Sequence, residues 1–174
     1  LVALKPSIDQ EEFEAAASRL GLDQAMVLNI ALATDNVVQN VYPIERNHPL
    51  LGRDIRTIPN HAEGMELARR TGKPTLLGPL NLAQGGRGLI LRLAFTSNFQ
   101  GTDPSDRRQM ISIVVDANVF FEEQARKALN PKYLVNITRL EDEAVIYGDP
   151  SSLATPPITR TLRMSTGTWQ IASA

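Results

Sequence analysis

Between Val41 and Arg92, turn-forming clusters and short apolar runs alternate in an order that few folds can accommodate. The stretch opens with Val41-Tyr42-Pro43-Ile44-Glu45-Arg46-Asn47 and reaches Leu51-Gly52-Arg53-Asp54. After a charged helical segment come Thr71-Gly72-Lys73-Pro74, Leu77-Gly78-Pro79-Leu80 and Gln84-Gly85-Gly86-Arg87-Gly88. Glycine and proline at these spacings mark turns between short strands. The last cluster invites a phosphate-loop reading, because glycine-rich loops expose backbone N–H groups. No Lys-Ser or Lys-Thr pair follows it, and the next segment is a strand, so it reads as a hairpin loop instead. With no nucleophile or metal cluster inside it, the run is a scaffold that shapes a pocket.

The flanking segments supply the rest of an α+β fold. A helix is expected over Asp9–Leu20, capped by Asp9 or Ser7, with Glu11 and Glu12 in its first turn and Gly21 stopping it. Its apolar stripe is Phe13, Ala16, Ala17 and Leu20. Met26–Ala33 reads as a strand, and Thr34-Asp35-Asn36 turns it into an antiparallel partner over Val37–Tyr42. A helix over Asn60–Arg70 turns Met65 and Ala68 inward and ends at Gly72, where Pro74 bars continuation. Strands are expected at Thr75–Ala83, Leu89–Thr96 and Met110–Asp116, with a polar connection from Ser97 to Arg108. Five antiparallel strands with helices inserted after the second make one unit. A smaller unit follows, with a helix over Ala117–Leu129 that buries Val119, Phe120 and Leu129 and is broken by Asn130-Pro131. Hairpins follow, Tyr133–Leu140 with Ala144–Tyr147 and Ile158–Met164 with Thr168–Ser173.

Composition excludes several function classes. The chain has 174 residues, 43% of them hydrophobic and 21% charged, enough for a real core. A net charge of −1 carries no basic footprint, so no nucleic-acid partner is expected. Cysteine is absent, which removes disulfides, thiolate catalysis and cysteine-ligated zinc. His48 and His61, the only histidines, lack metal-ligand spacing even with Glu45 nearby, and no metal or cofactor is expected. No apolar run approaches membrane-spanning length, and Leu1 implies that the parent protein begins upstream.

The ordered set Ala31–Val38, Val41–Asn47, Leu51–Asp54, Thr71–Pro74, Gly78-Pro79, Gln84–Gly88 and Leu91–Leu93 resembles the CHASE domain, and Tyr147–Pro150 with Gly167–Gln170 fit its close. That family comprises extracytoplasmic sensor modules of bacterial histidine kinases, of diguanylate cyclases or phosphodiesterases, and of plant cytokinin receptors. The resemblance implies two PAS-like antiparallel subdomains in tandem after a long amino-terminal helix, most of which would precede Leu1. Residues 22–116 would form the membrane-distal, ligand-binding subdomain and 117–174 the membrane-proximal one. It also implies flanking transmembrane helices, a homodimeric receptor, and a periplasmic location in an inner-membrane protein. In the plant receptors an acidic side chain before the Thr-Gly-Lys motif reads a planar purine derivative, and the matching position here is His61. Neutral imidazole offers one donor and one acceptor where a carboxylate only accepts, so the ligand class does not carry over.

The expected pocket residues are Tyr42, His61, Met65, Leu77, Pro79, Leu82 and Arg92, with no catalytic residue among them. Tyr42 is either a polar handle at the pocket mouth or a tyrosine packed at a strand end before a rigid turn. Turn and helix-cap roles also suit His48 and His61. Arg92 shares a strand face with Ile90, and there it either clamps a ligand anion or pairs with an acidic side chain. Asp116 reads as the cap of the following helix, and Trp169 as core of the second unit. The chain is thus expected to sense a small molecule and relay it to a cytoplasmic output. The alternative is a protein- or peptide-interaction module without a small-molecule pocket, and a small hydrolase or isomerase ranks last for want of paired catalytic groups.

Overall fold

A computed structural model describes residues 8–58, 61–82, 85–96, 108–128, 134–153 and 156–174. Outside them lie Ser7 as a cap, Asn60 as a helix start, Ala83 and Gln84, the connection over 97–107, and Leu129 with the Asn130-Pro131 stop.

The chain is α+β, as expected, with two antiparallel sheets. Helix α1 (Gln10–Ser18) starts where the Asp9 carboxylate accepts the Glu12 N–H at 2.8 Å. It is shorter than its apolar pattern implies: Phe13 and Ala17 are buried, whereas Ala16 is exposed and Leu20, past the helix end, is 59% exposed. Strands β1 (Val27–Thr34) and β2 (Val37–Tyr42) meet at Asp35-Asn36, both left-handed, with φ of 51° and 74°. Those angles form the two-residue turn that matches strand twist. After β2 come the one-turn α2 (Ile44–Asn47) and α3 (Ala62–Thr71). Gly72 ends α3 at φ 60°, and its N–H donates to the Ala68 carbonyl at 2.9 Å. Strands β3 (Thr75–Asn81), β4 (Arg87–Phe95) and β5 (Gln109–Asp116) complete a sheet of order β2-β1-β5-β4-β3.

The remaining elements are α4 (Ala117–Ala128), β6 (Val135–Arg139), β7 (Val145–Tyr147), β8 (Ile158–Met164) and β9 (Gly167–Ser173), with sheet order β7-β6-β9-β8. Asp116 does cap α4, accepting the Val119 N–H at 3.1 Å. The buried face of α4 differs from expectation. Ala117 and Phe121 are buried while Val119 and Phe120 are half-buried, because the helix phase is set by Ala117 leaving β5 and returns four residues later. The Phe121 ring lies 5.3 Å from that of Tyr147 and 6.0 Å from buried Trp169.

Two compact units result, one from residues 1–75 and 90–115, the other from 76–89 and 116–174. In the first, β1 and its neighbours bury a cluster on each sheet face. One face carries Ala31, Ala33, Val41, Ala94 and Met110 with Ile55, Met65 and Ala68; the other carries Val27 and Ile30 with Phe13 and Ala17 of α1. The outer edge of β2 is covered. Val38 exchanges backbone hydrogen bonds with Gly52 and Arg53 (2.9 and 3.0 Å), and the Gln10 amide pairs with both backbone groups of Val41. In the second unit the 76–89 hairpin is tied to the β8–β9 turn by Ser165 and Thr166, whose hydroxyls donate to the Leu76 carbonyl at 3.2 and 2.7 Å. Gly78, at φ 104°, admits no side chain, because a Cβ there would meet the Gly88 carbonyl oxygen at 2.6 Å.

Candidate functional site

The α3 face of the first sheet carries the site. Backbone geometry brings His61 there as the residue before α3, and its carbonyl accepts the Met65 N–H at 3.2 Å, which closes the first turn. The side chain makes no capping bond. It meets Arg92 of β4 instead. Arg92 Nη1 donates to the His61 carbonyl at 2.9 Å, and Nη2 lies 2.7 Å from His61 Nδ1.

A guanidinium only donates, so Nδ1 must accept and the ring proton sits on Nε2. Burial, and secondarily the charge of Arg92, hold the imidazole neutral by depressing its pKa to about 4. Burial alone pushes Arg92 down to about 10, so the guanidinium stays charged at neutral pH. Arg92 is 2% exposed and His61 8% exposed. Among the described residues no ion pair includes Arg92; its acceptors are a neutral ring and a peptide carbonyl. Met65, one helical turn beyond His61, is buried in the apolar cluster beside them.

These three expected residues therefore come together. The others stand elsewhere. Tyr42 lies on the opposite face of the sheet, packed against the α1 cluster, and its hydroxyl accepts from Gln24 Nε2 at 2.9 Å. There it lines an open groove of about 520 Å³ with Glu11, Glu14, Gln24, Pro43 and Glu45. Leu77, Pro79 and Leu82 fall in the hairpin of the second unit. Leu77 is buried, Pro79 is half-buried, and Leu82 covers Gly88, where a Cβ would lie 2.7 Å from its Cδ2.

Ser112 was missed by sequence reasoning and belongs to the α3 face. It stands opposite Ala31 across β1–β5, is 6% exposed, and its Oγ has no hydrogen-bond partner. A signal for it exists: it is the sole hydroxyl within Met110-Ile111-Ser112-Ile113-Val114-Val115, and alternation places it with Met110 and Val114. Gln10, Gln24 and Glu14 carry no such signal, since their roles depend on how α1 docks. His48 and Glu45 are exposed, and among the described residues no three His, Cys, Asp or Glu side chains gather as a metal site. Among the described residues of this arrangement, no hydroxyl is hydrogen-bonded to a base: Ser112 Oγ has no partner and His61 Nδ1 is taken by Arg92. It can bind and orient a ligand by hydrogen bonds and charge.

Comparison with known proteins gives three findings. The family model described as the CHASE domain matches residues 6–147. No curated protein sequence matches the chain. Among solved structures of similar fold is the extracellular ligand binding receptor from Desulfohalobium retbaense DSM5692, 13% identical, with a TM-score of 0.60 over 95% of this chain and 36% of that one. The chain thus spans about a third of that receptor (36% of its length), and at this identity the likeness is one of fold. No helix among the described residues is long and apolar enough to cross a membrane.

Proposed function

The chain belongs to the CHASE domain family, a family of extracellular sensor domains, and on that premise we propose that it binds a small molecule against the α3 face of its first sheet. The parent protein is a bacterial inner-membrane receptor with transmembrane helices flanking this domain. It acts as a homodimer, and its cytoplasmic output is a histidine kinase or a cyclic-di-GMP enzyme. The domain itself is a sensor and not a catalyst. The observation that carries the ligand-binding reading is the polarity buried on that face. Arg92, His61 and Ser112 sit among apolar neighbours where a purely structural core would place hydrocarbon.

Signalling requires that the ligand prefer one of two arrangements of the receptor. It can shift their populations only by its difference in affinity between them, so roughly a 10⁴-fold preference takes such an equilibrium from 1:99 to 99:1. Tyr42, Leu77, Pro79 and Leu82 remain candidates for pocket residues alongside the α3-face cluster.

The test is a thermal-shift screen of metabolites on the 174-residue protein. A ligand at ~100 times its dissociation constant stabilises the fold by about 2.7 kcal/mol, and several degrees of shift follow for a domain of this size. His61→Ala and Arg92→Ala should each weaken the response to a confirmed hit. A hit whose binding survives both changes places the pocket elsewhere.

A further inference from the structure

Two buried polar groups on the α3 face keep unused hydrogen-bonding capacity, and both are able to donate. Arg92 gives one N–H to the His61 carbonyl and another to its ring, which leaves Nε–H without a partner. Ser112 Oγ is likewise buried and unpaired. The two side chains share a face. Ala31, opposite Ser112, lies in the same apolar cluster as Ala94, two residues along β4 from Arg92. Because β5 and β4 are neighbours in the sheet, alternation sets both groups on adjacent strands under α3. A charged group buried without a counter-charge is costly, and an unpaired buried hydroxyl adds to that cost.

On the sensor reading given above, we infer that the ligand carries a carboxylate, received by the Nε edge of Arg92 with a further hydrogen bond from Ser112. The Nε–H and the adjacent Nη–H of a guanidinium are coplanar and parallel, a fork that matches the two oxygens of a carboxylate. The plane of that fork is fixed in advance. His61 holds the other side of the guanidinium through its carbonyl and Nδ1, and the same carbonyl anchors the first turn of α3. Preorganisation of this kind reduces the ordering cost of binding. The charge count selects the class. His61 is neutral, so among the described residues the site holds the one positive charge of Arg92 and is neutralised by a singly charged group. A phosphate dianion would leave negative charge buried and more oxygens than donors.

The test follows the Arg92 Nε–H resonance in the ¹⁵N-labelled 174-residue protein, assigned by its loss in Arg92→Lys. Sodium acetate is titrated at pH 7 against sodium chloride and sodium phosphate at matched ionic strength. Acetate is expected to shift the resonance saturably and chloride only weakly. Arg92→Lys keeps the charge but loses the fork, and should weaken acetate binding, read by the thermal shift, by roughly tenfold or more. Ser112→Ala should weaken it by a smaller factor. If Arg92→Lys fails to fold, the wild-type titration and Ser112→Ala decide. An Arg92 signal that moves no more with acetate than with chloride overturns the assignment, and so does a saturable response to phosphate alone. A neutral metabolite that binds on the α3 face without moving Arg92 Nε–H sinks the carboxylate and leaves the sensor reading standing. No binding of acetate or of any screened metabolite removes both.

Discussion

On the α1 face of the first sheet, Gln10, Asn40 and Glu14 close on backbone groups; on the α3 face Arg92 and Ser112 each keep a polar atom that closes on nothing. Gln10 Nε2 donates to the Val41 carbonyl at 2.6 Å while its Oε1 accepts the Val41 N–H at 3.2 Å. Asn40 donates to the Ile8 carbonyl, and Glu14 accepts the Ile44 N–H at 3.0 Å. The Gln10 and Asn40 bonds fasten α1 and its approach to β2, and the Glu14 bond fastens α1 to the start of α2. On the α3 face Arg92 and Ser112 are more deeply buried than Gln10 and Glu14, yet among the described residues Arg92 Nε and Ser112 Oγ have no hydrogen-bond partner. Satisfied polarity at an edge is structural, because it hides strand backbone from other chains. Unsatisfied polarity in a core weakens the fold and calls for an occupant.

Helix α1 is part of the fold and not an appendage resting on it. Phe13 and Ala17 are its buried contacts with the sheet cluster around Ile30. Phe13→Ala is therefore expected to cost about 3–5 kcal/mol in urea denaturation, the usual loss for a buried phenylalanine. A loss below ~1 kcal/mol, with α1 amides exchanging freely while those of α3 stay protected, would reduce the sheet to one structural face.

The α3 face should also show itself through pH. His61 has its pKa depressed by burial and then by Arg92, to about 4 from an ordinary 6.5. The folded state therefore refuses a proton that the unfolded chain accepts between those values. Stability from this group is complete above pH 6.5, falls as pH drops towards 4, and changes no further below that. The full loss is on the order of 3 kcal/mol. His61→Gln retains an acceptor for Arg92 but cannot titrate, so the difference in unfolding free energy between pH 7 and pH 5 should shrink in the variant. Identical pH dependence in the two proteins would show that His61 is solvated and that the α3 face is open to water.

Much of this was legible in the sequence, for identifiable reasons. Asp35-Asn36, Gly72 and Asp116 act locally: a left-handed turn, a helix stop and a cap need only a few neighbouring residues, and each lies where its type implies. The face shared by Ile90 and Arg92 follows from strand alternation alone. Tyr42 shows the limit. Its place in β2 was readable, but the one-residue step from Val41 puts it on the α1 side, with Ile30, away from His61. Leu20 shows another limit, since periodicity cannot tell where a short helix stops covering the sheet. The nature of the Arg92 partner was open between an anion and an acid, and the partner that the fold supplies, a neutral histidine with its own carbonyl, has no sequence signature.

Ser112 supplies the smallest and most discriminating measurement. A hydroxyl that makes its hydrogen bonds is missed when removed, whereas one that makes none gives up nothing and sheds a desolvation penalty. Ser112→Ala should therefore leave the unliganded protein within about 0.5 kcal/mol of wild type, or slightly more stable. Asp9→Ala supplies the scale on the α1 side, where loss of the carboxylate that accepts the Glu12 N–H should cost about 1 kcal/mol. If Ser112→Ala costs as much as Asp9→Ala, the hydroxyl is already satisfied in solution and the two faces are built alike. A neutral Ser112→Ala that nonetheless lowers ligand affinity would separate them, because only a group held for an occupant is silent in the empty protein and heard in the bound one.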